Sequence, residues 1–118
     1  MLNLDTKVVL FALRGELKAA EERGRQCLDD SGIVLWEISK LAELGRIEFD
    51  LDNPQFREFV RELTVLPIGL NECRAISQLD FSSDPADEII AATSLARDIP
   101  LLTRDRRLLR SKVVPLAA

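Results

Sequence analysis

Histidine and tyrosine are absent from the sequence, and cysteine occurs only twice. The missing imidazole excludes a Ser-His-Asp triad, a Cys-His dyad and any histidine general base. It also excludes a zinc finger or a His-ligated metal, because Cys27 and Cys73 lie far apart and form no CxxC. Chemistry is left to carboxylates, hydroxyls, lysine, arginine and thiol. Long hydrophobic runs are missing too, and no stretch approaches the roughly 18 apolar residues of a membrane span. Met1 leads straight into a strand-like apolar segment without the basic start of a signal peptide. The expectation is a cytoplasmic protein with no membrane attachment and with reduced, inertly packed thiols.

What is present is a globular balance. Hydrophobic residues make up 47% and charged residues 31% of 118 positions, which excludes a disordered chain. At that length one core is expected, hence one domain over 1–118 that needs no disulfide or structural metal. The net charge of −4 argues mildly against a nucleic-acid partner. Its distribution is uneven, however. Residues 98–118 hold five basic residues against two acids, a local balance of +3.

Punctuation residues and periodicity predict the elements. Leu2 to Asp5 reads as a short strand, followed by an apolar helix through Leu13 that Gly15 closes. Residues 16–28 are charged and Ala-rich, which predicts a solvated helix. Ser31 can cap a helix from about Ile33 to Leu44, stopped by Gly45. Asn53-Pro54 opens a helix to about Leu63, and Thr64–Leu66 reads as a strand. A short amphipathic helix is expected over 70–78, and Asp84-Pro85 opens another to about Arg97. Pro100 to Thr103 reads as a buried strand, with a further strand at Val113-Val114. Short apolar strands alternating with helices predict an α/β fold: a short, mostly parallel central sheet flanked by helices.

In such sheets ligands bind outside the carboxyl ends of the strands. Acids occupy those ends here. Asp5 follows the first strand, Asp105 follows the 100–103 strand, and Asp84 and Asp87 stand at the mouth of the 85–97 helix. Each also has a purely structural use. Asp5, Asp84 and Asp105 can cap helices, and Asp87 favours the positive end of a helix dipole. Glu37 falls inside the apolar arc of Val34, Ile38, Leu41 and Leu44, where a carboxylate is costly unless paired, protonated or metal-bound. Several carboxylates at one edge repel one another, so a bare cluster needs raised pKa values or a cation. An all-oxygen set selects a hard ion, Mg²⁺ or Mn²⁺.

These residues resemble a family. Leu4-Asp5-Thr6, Leu35-Trp36-Glu37-Ile38 with Gly45-Arg46, Asp84-Pro85-Ala86-Asp87 running into Ile89-Ile90-Ala91-Ala92-Thr93, and Leu102-Thr103-Arg104-Asp105 follow in that order. The whole is similar to PIN-domain ribonucleases of the VapC toxin type. The resemblance implies a PIN-like fold, Mg²⁺-dependent cleavage of RNA, a small antitoxin as partner and a homodimer. By motif position Asp5, Glu37, Asp87 and Asp105 match the catalytic and metal-binding acids. Asp84 matches an acid of this subgroup, and Thr6 and Thr103 match supporting hydroxyls. Lys7 departs from the pattern, standing where relatives often carry histidine; its ammonium can pair with a site carboxylate, contact phosphate or be solvated.

Arg104, Arg106, Arg107, Arg110 and Lys112 flank Asp105 and are candidates for holding the RNA backbone, or else form a solvated basic face. Trp36 faces away from Glu37 and suits a dimer or antitoxin interface, or burial under a neighbouring helix. With no side-chain general base evident, a metal-activated water is the expected nucleophile. Two other readings compete. A PIN-like protein kept only for RNA or partner binding would not need the full acidic set. A phosphoacceptor signalling domain would need paired acids after the first strand and a lysine after the last.

Overall fold

Leu2–Leu4 forms β1, the strand on which the architecture is centred. In the computed structural model, which describes residues 2–13, 28–47, 50–62 and 64–117, four parallel strands form one sheet. Leu28–Ser31 is β2, Thr64–Leu66 is β3 and Leu101–Leu102 is β4, in the order β3-β2-β1-β4. The chain winds outward from β1 through β2 to β3, then crosses back to lay β4 on the other side. The order therefore reverses between β1 and β4, which is where an open parallel sheet leaves a crevice.

Among the described residues the helices are α1 (Thr6–Leu13), α2 (Gly32–Glu43), α3 (Pro54–Glu62), α4 (Leu70–Ala75, continued by a 3₁₀ turn over Ile76–Gln78), α5 (Pro85–Arg97) and α6 (Arg106–Leu109). Leu4, Val8, Val9, Val34, Ile38, Ile90, Leu101 and Leu108 are sealed in the core between sheet and helices. A central strand is buried on both faces, so its one polar residue must find partners inside. Asn3 does so by donating from Nδ2 to the Ile90 carbonyl at 3.0 Å and to Ser94 Oγ at 2.9 Å. That ties β1 to α5, whose Ala91 and Ala92 let the helix lie close. Glu72, buried in α4, accepts from the Arg97 Nε–H at 2.8 Å and from the Gly69 N–H at 3.1 Å, joining α4 to the end of α5.

The expected elements over 2–13, 54–63, 64–66, 70–78, 85–97 and 100–103 are present within a residue or two. Four expectations need correction. β2 was not expected: Leu-Asp-Asp-Ser has no β-branched residue and no alternation, and its place between β1 and β3 decides its conformation. The solvated helix predicted for 16–28 falls, apart from Leu28, outside the described residues, as do Gly15 and Cys27. Second, the apolar arc of α2 ends early. Arg46 N–H bonds to the Leu41 carbonyl and Gly45 N–H, at φ 71°, to that of Ala42. This closes the helix at Glu43 and leaves Leu44 55% exposed beyond it. Third, Val113-Val114 is not a strand. Their N–H groups turn onto Ser111 Oγ, and the chain pairs with β4 only at Leu116. Cys73 is exposed rather than packed. Among the described residues no helix is long and apolar enough to cross a membrane.

Candidate functional site

Parallel strands end on one edge, so the residues after β1 and β4 must meet. Asp5 follows β1 and is only 4% exposed. Its Oδ1 accepts from the Thr6 N–H at 2.7 Å, and its Oδ2 accepts from the Thr103 hydroxyl at 2.7 Å. Thr103 Oγ1 in turn accepts from the Asp105 N–H at 3.0 Å. One hydroxyl thus links the acid after β1 to the acid after β4. Burial pushes the Asp5 carboxyl above its ordinary pKa; the Thr103 bond opposes this, and the charges of Asp87 and then Glu37 add to it.

Asp87 lies in the first turn of α5, partly buried, with Oδ2 accepting from the Ser83 hydroxyl at 3.0 Å. Its carboxyl is also raised. Burial is the largest cause, opposed by the Ser83 bond, reinforced by Asp105 and Asp84, and relieved in part by Lys7. Lys7 is exposed and bears on a site carboxylate, as its departure from the family pattern allowed. Asp84 occupies the N-cap position of α5 yet makes no capping hydrogen bond. The capping use is therefore not realised, and the exposed side chain lines the cleft instead. Asp105 does cap: its Oδ1 accepts from the N–H groups of Arg107 at 2.8 Å and Leu108 at 3.2 Å, which starts α6.

These elements enclose an open cleft of about 470 Å³ lined by Ser83, Asp84, Asp87, Asp105, Arg106, Arg107 and Arg110. Of the predicted residues, the cleft unites three acids with three arginines. Asp5 and Glu37 are not part of its lining. Glu37 is half-buried on α2, near enough for its charge to bear on Asp5. Arg104 is half-buried, and exposed Lys112 gives its backbone N–H to Asp80; neither lines the cleft. Thr6 serves Asp5 through its backbone N–H, whereas among the described residues its buried hydroxyl finds no hydrogen-bond partner. Ser83 was missed by sequence reading. The only signal was a hydroxyl one residue before the Asp84-Pro85 helix start.

The donor chemistry fits a hard divalent cation. The acids supply oxygen only, two of them are raised by burial and mutual repulsion, and a buried hydroxyl oxygen beside Asp5 is unsatisfied. Among the described residues, no group of three acids is placed to hold one ion.

Comparison with known proteins places this geometry in a family. No curated protein sequence matches the chain. Solved structures do. A chain of VapBC2 from Rickettsia felis, bound to a DNA fragment from their promoter, is 17% identical with a TM-score of 0.77, covering 99% of this chain and 98% of that one. DNA-bound VapBC from Salmonella typhimurium is 17% identical with a TM-score of 0.72, covering 98% and 96%. FitAcB from Neisseria gonorrhoeae is 19% identical with a TM-score of 0.71, covering 100% and 97%. At such identities the likeness establishes the fold. The family model of the PIN domain matches residues 3–113, nearly the whole length, and the chain belongs to the PIN-domain family.

Proposed function

We propose that this chain, as one PIN domain over residues 1–118, is a Mg²⁺-dependent endoribonuclease and the toxin of a toxin–antitoxin pair. PIN domains are typically nucleases and generally use divalent metals. The observation that carries the reading is the buried Asp5 at the crevice between β1 and β4. It is braced by Thr103 and burdened by the charges of Asp87 and Glu37, beside a cleft where Asp84, Asp87 and Asp105 meet arginines.

Asp5, Glu37, Asp87 and Asp105, with Asp84, would hold Mg²⁺, or Mn²⁺ in its place. A bound ion of this kind lowers the pKa of water and offsets charge developing on phosphorus. The protein's own part is orientation. Thr103 fixes Asp5, and Asp105 is held rigid by the helix it caps. Exposed Arg106 and Arg110 on the cleft wall take the RNA backbone, with Arg104 and Lys112 extending the basic segment beyond it. The protein partner is a small antitoxin, consistent with structural neighbours that are toxin–antitoxin complexes. Trp36, 57% exposed on α2, is the aromatic we assign to a protein interface, with the antitoxin or with a second copy in a homodimer.

The test is cleavage of tRNA, rRNA and mRNA pools by purified protein. Mg²⁺ or Mn²⁺ should support cutting, EDTA should abolish it and zinc should not substitute. Full cleavage in excess chelator ends the metal mechanism. RNA binding without cleavage under every metal condition would favour a protein kept only for binding.

A further inference from the structure

The loop before α5 is fastened to the segment around α6 at two places. Asp80 accepts from the Ser111 hydroxyl at 2.6 Å and from the Lys112 N–H at 2.8 Å. Arg107 Nη1 donates to the Ser82 carbonyl at 3.2 Å and to Ser83 Oγ at 3.4 Å. The Ser83 hydroxyl donates onward to Asp87 Oδ2 at 3.0 Å. The direction of this chain is fixed by chemistry. A guanidinium can only donate, a carboxylate can only accept, and a hydroxyl can accept while it donates its single proton. Arg107 therefore polarises Ser83 toward Asp87.

Asp87 needs such a hold. Its carboxylate is pushed by the neighbouring charges of Asp105 and Asp84, and a side chain on a first helical turn can swing away from them. Ser83 commits Oδ2 and leaves Oδ1 available. The loop carrying Ser83 is itself tied to the α6 segment twice, from Asp80 to Ser111 and Lys112 and from the Ser82 carbonyl to Arg107.

We propose that Ser83 and Arg107 are positioning residues for Asp87, and that Arg107, unlike its neighbours Arg106 and Arg110, serves the acid rather than the RNA backbone. The inference rests on the nuclease reading above. It divides one basic run into two jobs: Arg106 and Arg110 set affinity for RNA, and Arg107 sets the geometry of a carboxylate.

The test compares Ser83→Ala, Ser83→Thr, Arg107→Gln, Arg107→Lys and Arg106→Gln with the wild type. Three quantities are read: Mn²⁺ affinity by calorimetry without RNA, kcat and KM for RNA cleavage in Mg²⁺, and the salt dependence of RNA affinity in EDTA. Ser83→Ala and Arg107→Gln should each lose roughly 10–100-fold in Mn²⁺ affinity or kcat, the usual effect of removing a group that orients a metal ligand. KM and the salt slope should stay near wild type. Ser83→Thr, which keeps the hydroxyl, should recover most of the loss, and Arg107→Lys, which keeps a donor, part of it. The double variant Ser83→Ala/Arg107→Gln should be no worse than the more impaired single one, since both act along one path. Arg106→Gln should instead lower the salt slope by about one and raise KM. Two results overturn the proposal: Ser83→Ala with wild-type Mn²⁺ affinity and kcat, or Arg107→Gln behaving like Arg106→Gln. If the wild type neither binds Mn²⁺ nor cuts RNA, the nuclease reading fails and takes this inference with it.

Discussion

Thr103 and Asp5, 98 positions apart in sequence, are joined by a 2.7 Å hydrogen bond in which the threonine hydroxyl donates to Oδ2. The same hydroxyl oxygen accepts from the Asp105 N–H, so its proton has one destination. Thr103→Val keeps the shape and removes the donor. Among the described residues the buried Asp5 would keep only the Thr6 N–H. The expected loss is about 1–3 kcal/mol of stability in urea unfolding at pH 7, the cost of an acceptor left unsatisfied in the interior. Thr103→Ser should stay near wild type, and an unshifted midpoint in the valine variant would show that the bond contributes nothing.

Asp105 lets charge and capping be separated. Asparagine caps as well as aspartate, whereas alanine does not cap. Asp105→Asn should therefore keep the cap, be at least as stable as the wild type without metal because a charge beside Asp87 is gone, and lose cleavage. Asp105→Ala should lose cleavage and also about 1 kcal/mol as the Arg107 and Leu108 N–H groups go unmet. An active asparagine variant would reduce Asp105 to a helix cap.

The raised carboxyls of Asp5 and Asp87 carry a pH signature in metal-free protein. A folded pKa above the unfolded one means that the folded state binds more protons between the two values. Their contribution is full below the ordinary 3.8 and is lost as pH rises through the raised values. In EDTA, wild-type stability should thus fall relative to Asp87→Asn from pH 3.8 toward neutrality. Asp80 runs the other way. The Lys112 N–H and then the Ser111 hydroxyl hold it low, so its contribution is present above 3.8 and lost as pH falls. Parallel pH curves for wild type and Asp87→Asn would remove Asp87 from the charged cluster.

Metal should reverse that ranking. Asp87→Asn relieves repulsion without metal and should melt higher than wild type in EDTA. Mg²⁺ should then stabilise the wild type, by about 2.7 kcal/mol at a hundredfold excess over Kd, and the variant far less. Equal gains from Mg²⁺ in both proteins would return Asp87 to a helix-dipole role.

Reversing Arg106 and Arg110 to glutamate should weaken RNA binding and flatten its salt dependence, by roughly one unit for each phosphate that is no longer neutralised. Unchanged affinity and slope would place the RNA elsewhere than on the cleft of Asp84, Asp87 and Asp105.

Sequence served best where a residue's local job and its place in the fold coincide. Asp84-Pro85 started α5 where expected because proline fits the first helical position. Asp5 and Asp105 were legible as strand-end acids because parallel pairing forces β1 and β4 to finish together. β2 was not legible, since Leu28–Ser31 takes its conformation from its two neighbours. Nor was Ser83, because its meaning depends on Arg107 reaching back across the fold. Leu44 misled, as helical periodicity extended past the turn that Gly45 imposes.

The sheet order also has a consequence for biosynthesis. β1 precedes the other three strands along the chain, whereas the strand that completes the crevice and the Leu116 residue that pairs with it come more than ninety residues later. A ribosome building this chain from the amino end cannot assemble Asp5 with Thr103 and Asp105 until that late segment has emerged. Closing so wide a loop is among the slower steps open to a folding chain. Whatever chemistry these acids perform is withheld from every nascent fragment that lacks β4 and Asp105.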